Sequence, residues 1–297
     1  MIDLSKKYYS KILLFGEHIV IKGADALAMP LERFAGQWAY AKDGDAEALQ
    51  YDLKDFAKYL HKQDVDIDAK AFIVELDKGL YFDSDIPNGF GAGSSGALVA
   101  AIYDCFAMEK QTDFVQLKTE LGVMESFFHG SSSGTDPLIS YVEKAIHIQK
   151  KGIEAIELPN IYKKSNACLF LLNTHIARQT GPFVEIFLKK YTEPRFADIC
   201  ESTLIPTSNL AIDCFINQEL DVLRQAFNMI SNIQLEYFAE FIPKQYYQMW
   251  DYGNSQDLFS LKLCGAGGGG FILGLTFDWA QTKELLKSQE LIPVAYL

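Results

Sequence analysis

Cysteine is scarce and unpatterned in this chain. The five residues, Cys105, Cys168, Cys200, Cys214 and Cys264, are an odd number, and no two stand in C-x-x-C spacing. This argues against a zinc site or a disulfide framework and for five reduced thiols packed as small apolar side chains. Basic charge is in deficit as well: 27 Lys and Arg against 39 Asp and Glu give a formal net charge of −12. A general nucleic-acid binder carries a basic face, so that class is set aside, whereas a phosphorylated small molecule held in a local site is not. Long apolar runs are also missing. Ile12-Leu13-Leu14-Phe15 follows Lys6 and Lys7 but stops at Gly16-Glu17-His18, too short for a secretory h-region, and residues 167–172 fall far short of a membrane span. The expectation is a soluble cytoplasmic protein with no membrane partner.

What is present is ordinary globular composition, 49% hydrophobic and 22% charged over 297 residues. At about 100–200 residues per domain this is one large domain or two intimate ones, ample for a sizeable core. Residues 11–15 read as a buried strand closed by Gly16. Residues 18–31 read as a strand, a turn at Lys22-Gly23-Ala24-Asp25 and a further apolar segment ending at Pro30. Residues 43–85 hold 12 acids against 5 lysines, read as a solvated face. Residues 97–108 look like a buried helix with Ser94 and Ser95 as caps, and Leu117, Leu121, Met124 and Phe128 give 114–128 a helical spacing. Residues 167–172 read as a buried strand, 182–191 and 219–241 as helices, and the segments around 261–263 and 271–275 as a hairpin-like strand pair. A weak boundary falls near Leu158-Pro159-Asn160.

Three motifs carry chemistry. In the first, residues 86–101, Gly89, Gly91 and Gly93 let the backbone turn tightly ahead of an apolar helix, and Ser94 and Ser95 open that helix. Unpaired N–H groups and the positive end of the helix dipole bind phosphate, although a glycine loop alone is often just a turn. Gly91–Gly96 matches G-x-G-x-x-G, but so does Gly265–Gly270, which shows how weak the bare pattern is. No strand directly precedes the loop and no lysine ends it, which disfavours the dinucleotide and P-loop folds. The second motif, Glu125 to Asp136, contains G-x-S-x-G around Ser132, with His147 or His175 available as a base. A nucleophile elbow must leave a strand, and here the preceding residues read as helix. The alternative is a small-residue loop that sets Asp136 in a tight site as a base or electrostatic partner, or simply as a helix cap. The third motif runs Lys262-Leu-Cys-Gly-Ala-Gly-Gly-Gly-Gly-Phe271. A hairpin needs one or two glycines, and the excess suggests close approach to a ligand or to another loop.

Together the motifs resemble the GHMP kinase superfamily, and more finely its mevalonate kinase family. Lys11 followed by Gly16-Glu17-His18, the continuation Ala26–Pro30, His129-Gly-Ser-Ser-Ser-Gly-Thr-Asp136 against His-Gly-x-x-Ser-Gly-x-Asp, and Asn173, Thr174, Arg178 and Thr180 against Asn-Thr-x-x-x-Arg-x-Thr are similar and co-ordered across residues 11–275. The chain departs from the pattern at Tyr9-Ser10, where Pro-Gly or Pro-Ala is usual, at Ala92 and Gly96, where the loop usually has Leu and Ala, and at Pro137 in place of Asn. Val20 and Ile21 break the galactokinase signature.

The resemblance implies an α+β fold of two domains. Residues 1–160 would be ribosomal-protein-S5-like and bind nucleotide and substrate, and residues 161–297 would be ferredoxin-like and carry the late glycine loop. It implies ATP and Mg²⁺ as cofactors, with ATP on Pro87, Gly89, Gly91, Gly93, Ser94, Ser95 and Gly96 and the metal on Ser95 and Glu125. Asp136 would be the base and Lys11 its cationic partner, supported by Thr180, with Glu17, His18 and Gly267 on the substrate side. Taken alone, His18 reads as a packed core histidine. The acceptor implied is the primary 5-hydroxyl of mevalonate. A kinase for a sugar or phosphomevalonate, or a non-catalytic sensor of the same fold, are the alternatives, and a homodimer is left open.

Overall fold

A computed structural model describes residues 2–42, 52–158, 165–178 and 180–297. The expected domain boundary at 160/161 and part of the acidic stretch, residues 43–51, lie outside the described residues.

The first strand, β1, is Tyr8–Phe15, apolar and buried along most of its length. It ends at Gly16, whose φ of +96° turns the chain where a Cβ would collide with Ala26 and the Asp25 carbonyl. The strand expected from residue 18 up to the turn at Lys22 is replaced by one turn of 3₁₀ helix (Ile19–Lys22), closed by Gly23 in the left-handed region. The preceding His18 also has positive φ, 62°. An extended strand cannot pass through that backbone turn. Strand β2, Ala26–Tyr40, then runs antiparallel to β1 and continues past Pro30. Pro30 falls between the segments of β2 that pair with other strands, a place where a sheet tolerates proline. With β3 (Leu80–Ser84), β4 (Ala145–Gln149) and β5 (Gly152–Ile156) they make an antiparallel sheet in which β1, β2, β4 and β5 follow in order and β3 pairs with the far end of β2.

Three helices build the neighbouring layer. Ser94–Phe106 and Phe114–His129 match the sequence spacing, and Thr135–Val142 follows. Asp113 caps the middle helix by accepting from the N–H groups of Val115 and Gln116. The first helix has no such cap. Its N-cap is Gly93 in the left-handed region, and Ser94 and Ser95 lie inside the first turn rather than before it.

The second sheet is antiparallel in the order β7, β8, β6, β9, where β6 is Cys168–Asn173, β7 Phe259–Leu263, β8 Phe271–Thr276 and β9 Glu290–Tyr296. β6 lies between two partners and is buried from Cys168 to Leu172, which is why it reads as a continuous apolar run without alternation. β7 and β8 form the expected hairpin. Helices Thr180–Lys190, Ile205–Asn217, Leu220–Tyr237 and Lys244–Ser255 supply a second apolar layer. Trp250 is fully buried there, its indole N–H donating to Ser231 Oγ at 2.7 Å. Fully burying one large apolar side chain stabilises the fold by about 1.5–3 kcal/mol. Among the described residues no helix is long and apolar enough to cross a membrane.

Candidate active site

The site is assembled where β1 meets the starts of two helices. The backbone N–H of Lys11 donates to the carbonyl of Ala92 at 2.9 Å, which ties the glycine loop to the strand. The Lys11 side chain, one-tenth exposed, turns to Asp136, with Nζ 2.9 Å from Oδ1. Asp136 occupies the first turn of the helix Thr135–Val142, set there by Gly134 at φ +71°. A side chain at Gly134 would strike the Lys118 carbonyl, so only glycine permits that approach. The sequence alternatives for Asp136 meet here, since it lies at a helix start and also carries an ion pair.

The loop glycines make room for this pair. A Cβ at Gly93 would meet Lys11 Cγ at 3.0 Å, and one at Gly96 would meet the Asp136 carbonyl carbon at 2.8 Å. The uncapped helix start beyond them presents free N–H groups and a positive dipole end. Pro87 and Gly89 lie on the approach to the loop, where the Gly89 carbonyl accepts from the Arg178 backbone N–H at 2.8 Å. Ser94 begins the helix and is half-buried.

Behind the pair sits Glu125, buried near the end of the helix Phe114–His129. One carboxylate oxygen accepts from Ser95 Oγ at 2.9 Å and the other from Ser132 Oγ. Burial and the nearby Asp136 carboxylate push its pKa up to about 7, against the two hydroxyl hydrogen bonds and the charge of Lys11. Ser95 Oγ also lies 2.9 Å from His129 Nε2. Ser132, the candidate nucleophile of a hydrolase, stands between two helices and not after a strand, so the elbow context is absent. His147 lies 3.6 Å from Asp25, and His175 pairs with Glu290 at 3.2 Å.

The remaining sequence candidates are held by protein partners. Glu17 forms a buried ion pair with Lys262 at 2.8 Å. His18 Nε2 lies 3.1 Å from the Ala266 carbonyl, with its ring against Phe187 and Phe241. Burial lowers its pKa to about 4, so the ring is neutral and Nε2–H donates to that carbonyl. Thr180 Oγ1 accepts from Arg178 Nη1 at 2.9 Å. Gly267 packs on Phe241, 2.7 Å from a would-be Cβ to its carbonyl oxygen.

Arg178 was visible in the sequence only as part of a motif, without a role. Its guanidinium lies against both glycine loops: a Cβ at Gly91 would meet Nη2 at 2.6 Å and one at Gly265 at 3.0 Å. Burial lowers its pKa, while Cys264 and Asp136 oppose that shift. Lys262 was missed as well, although a lysine between two leucines of a buried strand is a signal, because a buried ammonium needs a partner.

No protein-family model matches the chain. In sequence it is similar to mevalonate kinase of Pyrococcus abyssi, 25% identical over 300 residues, covering 90% of this chain and 86% of that one. It is also similar to mevalonate kinase of Thermococcus gammatolerans, 26% identical over 187 residues, a match that spans about half of each protein, 50% and 54%. In fold it is similar to a mevalonate kinase of L. major solved with R-mevalonate, with a TM-score of 0.65, 17% identity and full coverage of both chains. A phosphomevalonate kinase of Streptococcus pneumoniae solved with phosphomevalonate and AMPPNP gives a TM-score of 0.66 at 16% identity, covering 97% of this chain and 99% of that one.

Proposed function

We propose that this chain, a member of the GHMP kinase superfamily by fold and by sequence similarity, is a phosphotransferase that moves the γ-phosphoryl group of ATP onto the primary hydroxyl of mevalonate. The observation that carries the reading is the Lys11–Asp136 pair, 2.9 Å apart and flanked by an uncapped helix N-terminus. In this reading Asp136 takes the proton of the attacking hydroxyl and Lys11 faces the charge that develops on the transferred group. Phosphoryl transfer is mostly positioning and charge stabilisation, so one base and fixed cations suffice. The loop from Pro87 to Gly96, with the Ser94 and Ser95 N–H groups, takes the ATP phosphates. Arg178, between the two glycine loops, adds positive charge to their far side.

Ser95 and Glu125 fit a magnesium ion: both offer hard oxygen donors, and the raised pKa of Glu125 marks a buried carboxylate whose charged form a cation would favour. The ion supplies positive charge to the phosphate oxygens when bound. Thr180 acts through Arg178 in this reading, and Gly267 lets the late loop pack on Phe241. The chain is read as two domains meeting near residue 160, working in the cytoplasm without nucleic-acid or membrane partners.

An assay coupled to ADP release, run over mevalonate, phosphomevalonate, galactose and homoserine, tests the reading. Turnover with mevalonate alone is the expected result. Turnover confined to phosphomevalonate, whose kinase shares the fold, or to a sugar would move the acceptor assignment and keep the kinase. No ATP turnover with any of them would sink the kinase itself.

A further inference from the structure

A buried lysine needs partners inside the protein, and Lys262 has two carbonyls and one carboxylate. Its ammonium, 1% exposed, contacts the Leu14 carbonyl at 3.0 Å, the Leu263 carbonyl at 2.8 Å and Glu17 Oε2 at 2.8 Å. Glu17 Oε1 accepts from Gln234 Nε2 at 2.7 Å, and Gln234 Oε1 accepts from the Leu263 N–H at 2.7 Å. Lys262 holds Glu17 Oε2 as an ion pair without hydrogen-bond geometry, while Gln234 holds Oε1 by a hydrogen bond. Two further contacts run along the same seam: Cys264 Sγ to the Leu13 carbonyl at 3.7 Å, and His18 Nε2 to the Ala266 carbonyl at 3.1 Å. The end of β1 and the turn after it, residues 13–18, are thus fastened to residues 262–266, where the late glycine loop begins. Lys11 lies on that same strand.

We infer that Glu17, Lys262 and Gln234 form a latch that positions the late glycine loop against the strand carrying Lys11, and that Glu17 and Lys262 are positioning residues, not ligands of the acceptor. A buried ion pair is weak evidence for net stability, because desolvation offsets much of its attraction, so fixing one arrangement is the better account of its presence. A loop with five glycines among residues 265–270 has little stiffness of its own. Its register against β1 has to be imposed from outside, and the latch grips Leu263, two residues before it. The inference rests on the kinase reading only for its effect on turnover.

The test uses the whole 297-residue chain with Glu17→Gln, Lys262→Met and the double variant. Hydrogen–deuterium exchange is followed in the segment 264–270 and compared with the helix 220–237. We expect each folded single variant to exchange at least tenfold faster in 264–270 and little differently elsewhere, with the double variant no worse than either single. We also expect kcat to fall about tenfold while the acceptor KM stays within about threefold. If one unpaired charge prevents folding of a single variant, the double, which removes both charges, still supports the measurement. Unchanged exchange in 264–270, or a rise spread evenly over the chain, overturns the latch. So does an acceptor KM raised tenfold by Glu17→Gln and untouched by Lys262→Met, which would make Glu17 a direct ligand. A wild-type protein inactive on every acceptor sinks the kinase reading, while exchange still decides the latch.

Discussion

Two stretches of this chain carry the same pattern, Gly91-Ala-Gly-Ser-Ser-Gly96 and Gly265-Ala-Gly-Gly-Gly-Gly270, and the fold uses them in opposite ways. The glycines of the first make room for reactive side chains: Arg178 beside Gly91, Lys11 beside Gly93, Asp136 beside Gly96. In the second, Gly265 also faces Arg178, but the other four glycines make room for the body of the protein. Added methyl groups would collide with Phe241 at Gly267, Phe183 at Gly268, Ile176 at Gly269 and Phe90 at Gly270. Of the two outcomes the sequence allowed for the late loop, ligand or neighbouring element, the neighbours account for these four glycines. The lesson is that the bare pattern specifies a close approach and leaves open what approaches.

Removing the group that the first loop shelters is expected to have the largest effect. Asp136→Asn should lower kcat by about 10²–10⁴, the range for a positioned general base, with ATP affinity largely kept; a kcat near wild type in steady-state assays means Asp136 is not the base. Next come methyl groups added to each loop in turn. Gly96→Ala restores the residue usual in the resembling family but places a carbon 2.8 Å from the Asp136 backbone. It should lower kcat by roughly 10–100-fold through misplacement of the carboxylate and, because backbone has to shift, cost roughly 1–3 kcal/mol of stability. Gly268→Ala should lower stability and leave kcat near wild type. At φ +77° and 1.9 Å from the Phe183 ring, it should cost roughly 2–4 kcal/mol and lower Tm by roughly 5–10 °C. Equal losses of kcat in both variants would erase the distinction between the loops.

The third prediction concerns pH. The Glu125 pKa is raised by folding, so the folded protein holds a proton that the unfolded chain has released between about pH 4.5 and 7. The stability this group contributes is full below that window and lost as pH rises through it. Without Mg²⁺, Glu125→Gln removes this loss, so its Tm relative to wild type should climb from pH 5 to pH 7.5 and then level off. A flat difference across those scans would place the carboxylate in an ordinary environment. The smallest effect is expected at Thr180→Ala, which takes one acceptor from Arg178 (2.9 Å) and should change kcat/KM by about threefold. A loss of 100-fold or more would mean that Thr180 touches the reacting groups itself.

Much of the framework was legible because burial leaves a pattern. β6 is sandwiched between β8 and β9 and reads as an unbroken apolar run, and the helix Phe114–His129 shows Leu117, Leu121 and Met124 on its inner face. Legibility failed where backbone conformation outweighed composition. Ile19–Lys22 is apolar enough for a strand, yet Gly16 and His18 turn the chain before it can extend. Ser94 and Ser95 looked like caps because serine usually caps; Gly93 takes that position, and Ser95 reaches Glu125 and His129 instead. Glu17 and His18 stood in the right motif, but no local signal announces that one pairs with a lysine 245 positions later and the other with the Ala266 carbonyl.

The sequence by itself determined the inventory: a glycine loop before an apolar helix, a carboxylate eleven residues before an aspartate, a lysine in the first strand, and an acidic chain with no long apolar run. These are local facts, set by residue type and spacing. The tertiary structure decided the partnerships: Lys11 with Asp136, Ser95 with Glu125, Glu17 with Lys262, and Arg178 between two glycine loops. Each joins segments distant in the chain, and Coulomb attraction and hydrogen bonding act over a few ångströms. Distance along the sequence says nothing about that separation until the two sheets and their helices have packed.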